Sequence, residues 1–387
     1  MNKNISDVII IGSGIVGTSA AYYMAKAGLN VTVLEKDMIG HGASSRNGAG
    51  VRLSSRVQCE FNLARVAIRE IWPTLSEELE TDTEYLKSGA LLMYLTEAEE
   101  PKIRAKMNMC IAQGQVGELI DGDEARKRCP YLSDLVLGAV YYPEDGHANP
   151  MKTVLGYYKM ARRFGVRFVT GEEVLRINKY KGRARQVITA AGNVYEADKI
   201  IVAAGFESRA IMRTVGIHLP YLKRVDECLI TEAVPRMTDL RLSTFDGNFY
   251  GNQTKHGSFL WGGNTNIERY EETDPGQPMN TTRQSPDKAR MVGQLIPALK
   301  DVKVIRHWAG YLDSSADRLP IIQEIPEVPG LISASGFSGH GFAIGPAVGQ
   351  LLKEMVLGEE LCAPIDEFKY DRWHATGLKL PNPYPSV

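Results

Sequence analysis

The stretch DVIIIGSGIVGTSAAYYMAKAGLNVTVLEKD, residues 7–37, constrains the fold more than any other part of the chain. Residues 8–11 are an unbroken β-branched run, as suits a strand buried on both faces. Gly12, Gly14 and Gly17 then fall in the GxGxxG spacing. Gly12 permits a tight turn, Gly14 lets backbone approach a pyrophosphate, and Gly17 lets the following helix pack close to the strand. That helix, expected over about residues 15–27, opens with Ile15 and Val16 and presents its first N–H groups to the phosphates. Gly28 stops it. Residues 31–34 form a second strand, with Glu35 and Lys36 at its end. A carboxylate there accepts both ribose hydroxyls and repels a 2′-phosphate. The ordered set predicts a dinucleotide site without separating FAD from NAD.

The 387 residues suffice for about two domains. The net charge of −1 excludes a typical nucleic-acid binder. Five widely spaced cysteines, with no CxxC or Cys/His cluster, signal neither a metal site nor a disulfide framework, and predict reduced thiols in a cytoplasmic protein. Asp7 interrupts the N-terminal apolar run, and no run of eighteen apolar residues exists to span a membrane.

After Glu35 the chain runs into HGASSRNGAGVR, residues 41–52. Gly48 and Gly50, with Gly40 and Gly42, allow close backbone approach to a large ligand. Ser44, Ser45, Arg46 and Asn47 offer donors to phosphates and ring heteroatoms. Residues 198–211 read as a strand ending in Ala203-Ala204-Gly205 and then a helix. Residues 330–358 read as a strand over 331–333, the turn SGFSGHGF containing Gly339, His340, Gly341 and Phe342, and a helix with Pro346 in its first turn. This second helix N-terminus suits the electron-rich N1–C2=O edge of a flavin.

The segments DVIIIGSGIVG…VTVLEKD, GASSRNGAGVR, IIVAAGFES, HWAGYLDSSADRLPII and SGFSGHGF span nearly the whole chain. In this order they resemble the flavin-dependent amine oxidoreductases of the D-amino-acid oxidase superfamily. The nearest branch holds sarcosine oxidase, glycine oxidase and the beta subunits of heteromeric sarcosine oxidases, opine oxidases and dye-linked proline dehydrogenases. The resemblance implies an α/β fold in which a Rossmann-like FAD-binding domain (residues 1–84, 146–218 and 304–372) is interleaved with an α+β, mixed-sheet substrate domain (85–145 and 219–303), followed by a tail over 373–387. The sequence itself predicts strands over 88–96 and 224–232, helices over 97–112 and 121–128, a helix and strand over 151–169, and a surface loop over 271–286.

The implied reaction is oxidation of the C–N bond of a secondary amine or amino acid, by hydride transfer to flavin N5, giving an imine that water hydrolyses. Arg52 matches the arginine that binds the substrate carboxylate in sarcosine oxidases, and its planar fork suits that role; a surface pairing with Glu60 is the alternative. Tyr250 matches a pocket tyrosine, and His340 a structural, flavin-contacting histidine. Trp308 and Tyr311 are expected to wall the flavin site. Where monomeric sarcosine oxidase has a second carboxylate-binding lysine, this chain has Ala343; either a second cation comes from elsewhere, with Arg318 and Lys223 as candidates ranked below Arg52, or the substrate is larger, or its carboxylate is held differently. Gly310 stands where those enzymes have the cysteine that tethers the flavin, so the FAD is expected to be non-covalent. Phe259 aligns loosely with their oxygen-activating lysine, which favours a dehydrogenase. A heteromeric partner, with FMN as a second flavin at the subunit contact, is a further expectation. The alternative function is an FAD-carrying electron-relay or non-catalytic subunit.

Overall fold

In the computed structural model, which describes residues 4–263, 269–270, 280 and 284–372, the opening segment folds as β1 (Ile5–Ile11), α1 (Ile15–Lys26) and β2 (Val31–Glu35). β1 lies at the centre of an eight-stranded sheet, parallel to β2 on one side and to Val194–Val202 on the other. Arg167–Thr170 extends the sheet beyond β2; Leu331–Ser335 and Ile321–Glu324 extend it beyond Val194–Val202. Val8 and Ile10 join one buried cluster, with α1, while Ile9 and Ile11 join another. Successive side chains of a strand point to opposite faces, so a sheet covered on both sides needs the unbroken apolar run seen here.

Helix α2 (Pro150–Arg163) packs on α1 and is capped by Asn149, whose side chain accepts the Lys152 N–H at 3.1 Å. Helix α3 (Gly341–Leu357) packs on the same helix, and the Ser19 hydroxyl donates to the Gly345 carbonyl at 3.0 Å. Pro346 is therefore not in the first turn as expected. The helix already begins inside the GHGF turn, which puts the proline in the second turn, where it has no N–H to give the Phe342 carbonyl. Trp72 braces this stretch by donating its indole N–H to the Ala343 carbonyl at 2.7 Å.

A second, nine-stranded sheet contains β3 (Tyr221–Ala233), β4 (Tyr250–Gln253) and β5 (Val304–Ser315). β5 runs antiparallel to β3 from Tyr221↔Ser315 to Thr231↔Val304. Residues 304–315, expected with the dinucleotide-binding segments, thus pair in the second sheet and lead the chain back towards the first. The strand expected over 88–96 is Ala90–Tyr94. The helix expected over 97–112 is Glu100–Ala112 behind a short 3-10 turn, and buries Ile103, Met107 and Cys110 in one stripe. Asp121 caps Gly122–Arg128 by accepting the Glu124 N–H at 2.8 Å. Of the loop expected over 271–286, residues 284–286 instead open the helix Gln284–Leu295, with Pro286 in its first turn, where a missing N–H is harmless. Residue 280 is described as coil; the rest of that loop and the tail 373–387 lie outside the described residues. No helix among the described residues is long and apolar enough to cross a membrane.

Candidate active site

A cavity of about 370 Å³ opens at the carboxyl ends of β1 and β2. Gly12 turns the chain there with φ of +103°, and a Cβ on it would stand 2.5 Å from the Ala203 carbonyl oxygen. Gly14 caps α1 without a side-chain hydrogen bond, and the first turn holds no acid, so the positive end of the helix dipole faces the cavity unopposed. The Ile15 N–H reaches the Ser44 hydroxyl at 2.9 Å. Val16, Lys36, Ala204 and Gly205 also line this cavity, as do Gly339, Gly341 and Phe342 at the start of α3. α3 likewise has no side-chain cap and no acid in its first turn. Glu35 projects from the end of β2. One carboxylate oxygen accepts the Ser13 N–H at 2.8 Å and its hydroxyl at 2.7 Å; the other accepts the Asp37 N–H at 2.9 Å. These bonds fix the carboxylate and leave it less acceptor capacity than two ribose hydroxyls alone would have met. Gly17 and Ser45 line neither cavity. A Cβ on Gly17 would lie 2.0 Å from the Gly12 carbonyl oxygen, so its role is packing.

A second cavity, of about 240 Å³, borders the first and shares Ala43, Arg46, Asn47, Tyr311, Leu312, Gly339 and Phe342 with it. Arg52, Tyr250, His340 and Gly310 line it. So do Gly48 and Gly50, for a reason the sequence did not disclose. A Cβ on Gly48 would fall 2.3 Å from the Tyr250 ring, and one on Gly50 would fall 2.7 Å from Arg241 Nε. The loop from the first sheet is bare at these two points because side chains of the second sheet occupy the space.

Arg52 is held by a chain of polar contacts. Its Nη1 donates to the Ser54 carbonyl at 2.6 Å, and its Nη2 lies 3.0 Å from His340 Nε2. A guanidinium only donates, so His340 Nε2 accepts and its proton sits on Nδ1, which donates to Glu60 at 2.8 Å. Burial, with Arg52 and Arg56 nearby, lowers the His340 pKa against the pull of Glu60. Burial alone would raise the Glu60 carboxyl, but Arg56, His340 and Arg52 outweigh it and hold it well below the usual carboxylate range. Glu60 forms its ion pair with Arg56 at 2.7 Å rather than with Arg52, which disposes of the surface-pair alternative for Arg52. Burial, then Arg56 and Arg241, lower the Arg52 pKa to about 10, against the pull of the Glu60 and Asp145 carboxylates. Burial, then Asp226 and Cys228, push the Tyr250 phenol far above its usual value, so it stays a donor; its hydroxyl lies 3.4 Å from Asp226.

Other expected residues fall elsewhere. Lys223 lines neither cavity and stands over the Tyr311 ring at 3.8 Å, whereas Arg318 does line the smaller one. Trp308 donates to the Arg46 carbonyl at 3.0 Å from outside both cavities. Phe259 is buried in the core of the second sheet and says nothing about an electron acceptor. Sequence reading missed Arg56, Arg224 and Arg241. None lies in a motif, and only strand pairing brings Arg241, next to Ala90 and two strands from Gly262, to Gly50.

A glycine-turned strand end, two helix N-termini without acids in their first turns and a carboxylate at the end of β2 fit FAD, and an arginine-lined cavity adjoins them. These features define a flavin-dinucleotide oxidoreductase. The chain belongs to the DAO family of FAD-dependent oxidoreductases, whose model matches residues 7–355. Sarcosine oxidase subunit beta of Rhizobium meliloti (strain 1021) is 28% identical over 350 residues, which cover 89% of this chain and 82% of that protein. Glycine oxidase of Bacillus licheniformis is 26% identical over 95% of this chain and 98% of its own. Among solved structures, L-proline dehydrogenase from P. horikoshii superposes with a TM-score of 0.88 at 27% identity, covering 96% of this chain and 99% of that one.

Proposed function

We propose that this FAD-dependent oxidoreductase oxidises the C–N bond of a small amino acid or secondary amine, with Arg52 anchoring the substrate carboxylate. The observation that carries the reading is Arg52 itself: a guanidinium fixed by Ser54 and His340, in no ion pair with a carboxylate among the described residues, on a cavity that shares its wall with the dinucleotide cleft. Its contacts leave Nε–H and one hydrogen on each terminal nitrogen for a bidentate carboxylate. Tyr250 adds a hydroxyl that remains protonated. Leu312, Phe342 and Ala343 give the cavity an apolar wall that excludes water from the amine carbon. Bound FAD would supply the two-electron acceptor, and Gly12, Gly14, Ile15, Glu35, Ser44 and the α3 N-terminus would hold it. Non-covalent binding is supported by Gly310, which has no thiol, and by Cys228 on the same wall, whose thiol burial pushes up to about 12. An electron-relay subunit without substrate chemistry would have no use for this cationic cavity.

Acid treatment of the holoprotein should release intact FAD. Arg52→Lys should raise the apparent substrate Kd in anaerobic flavin titration by about tenfold or more, through loss of the bidentate fork, with FAD retained. Unchanged substrate affinity would remove Arg52 from the site.

A further inference from the structure

The smaller cavity is lined by six arginines, Arg46, Arg52, Arg56, Arg224, Arg241 and Arg318, against a single carboxylate, Asp226. Part of this charge is answered within the protein. Arg56 is paired with Glu60 at 2.7 Å, and Arg224 lies 4.0 Å from Asp226. Arg241 is different. It opens the strand Arg241–Thr244, crosses Gly50, and is only 9% exposed. Its Nε is buried without a hydrogen-bond partner, and no carboxylate among the described residues forms an ion pair with it. The nearby Asp145 spends its carboxylate on the Leu53 and Ser54 N–H groups and the Ser54 hydroxyl. What favours the Arg241 cation is the charge of Asp145 at a distance and the Tyr250 ring, 5.7 Å from the guanidinium carbon, neither of them an ion pair. A buried guanidinium is costly unless an anion meets it, and the cost is recovered when a ligand brings that anion.

We infer that the substrate carries two carboxylates, one held by Arg52 and the other by Arg241. It is an amino acid or secondary amine whose second carboxylate sits on the side chain or on the N-substituent. This rests on the C–N oxidation reading above and narrows its substrate class. Arg241 is then the residue that selects dianionic over monoanionic substrates, because an amine with one carboxylate leaves its guanidinium buried without an ion-pair partner.

The test uses the FAD-loaded protein and three inert ligands, read by calorimetry and by perturbation of flavin absorbance. Propionate carries one carboxylate, glutarate two on a carbon chain, and oxydiacetate two across a heteroatom. At least one dicarboxylate should bind about tenfold or more tighter than propionate. A preference for glutarate points to a side-chain acid, and one for oxydiacetate to an N-carboxyalkyl group. Arg241→Met should collapse the ratio of dicarboxylate to propionate affinity towards one, and Arg241→Lys, which keeps the charge, should leave it intermediate. A wild-type ratio near one, or a ratio that survives Arg241→Met, overturns the inference while leaving Arg52 as an anchor. Failure of all three ligands to bind overturns both the inference and the carboxylate role of Arg52.

Discussion

Glu60 never reaches the cavity, yet it organises the residues that do. It neutralises Arg56 and orients His340, which in turn props Arg52. Removing one partner of a buried ion pair leaves the other charge uncompensated, so Glu60→Gln should destabilise the protein by about 3–5 kcal/mol near neutral pH, measured by urea unfolding. The pH dependence has a definite sign. The folded pKa of Glu60 lies below its unfolded value, so the folded state binds that proton less tightly. Its stabilisation is fully present above the unfolded pKa of about 4.3 and fades as pH falls below it. The gap between wild type and Glu60→Gln should therefore shrink on acidification below about pH 4. A gap that widens there would mean that Glu60 is not the anionic centre of this network.

At the scale of elements, the join between β5 and the turn before α3 depends on Asp313. Its carboxylate accepts the Gly336 N–H at 2.6 Å, and its carbonyl accepts the Ser338 N–H at 3.1 Å. Burial raises its pKa to about 6, in spite of the backbone N–H groups that favour the anion. Here the folded state binds the proton more tightly. The contribution is present below the unfolded value of about 3.9 and is lost as pH rises through about 6. The stability of wild type relative to Asp313→Asn should fall between pH 4 and pH 6.5 by about 2–3 kcal/mol, and a flat difference would refute the assignment. The elements themselves were largely legible. The β-branched run, the glycine spacing and Asp121 at the start of its helix are local signals, and the structure follows them. What stayed hidden was non-local. β5 looks like any other strand until β3 pairs with it, and Arg241 looks like a surface arginine until Gly50 lies beneath it. The lysine absent at Ala343 was visible in the sequence, but the arginines that crowd the same cavity sit in no motif.

For the whole molecule, we propose a heteromeric assembly, which the likeness to a protein named as a beta subunit supports, and as a further proposal a second flavin, FMN, at the subunit contact. Native mass measurement of the complex taken from its own cells should show a different polypeptide bound to this chain. A homogeneous, fully active monomer that turns over rapidly with oxygen would refute the assembly.

The position of β1 has a consequence in time. Its neighbour Val194–Val202 is made some 190 residues later, and Leu331–Ser335 later again. At about 5–20 residues per second, the ribosome leaves β1, with β2 on one side, waiting on the order of ten to forty seconds for the neighbour on its other side. The glycine turn therefore exists as sequence long before Ala203 and the α3 N-terminus arrive to finish its walls, and the nascent first half has no complete cleft in which to hold a flavin. Loading of the cofactor waits until α3 has been made, and the exposed apolar edges of β1 and β2 are the surface that needs protection until then.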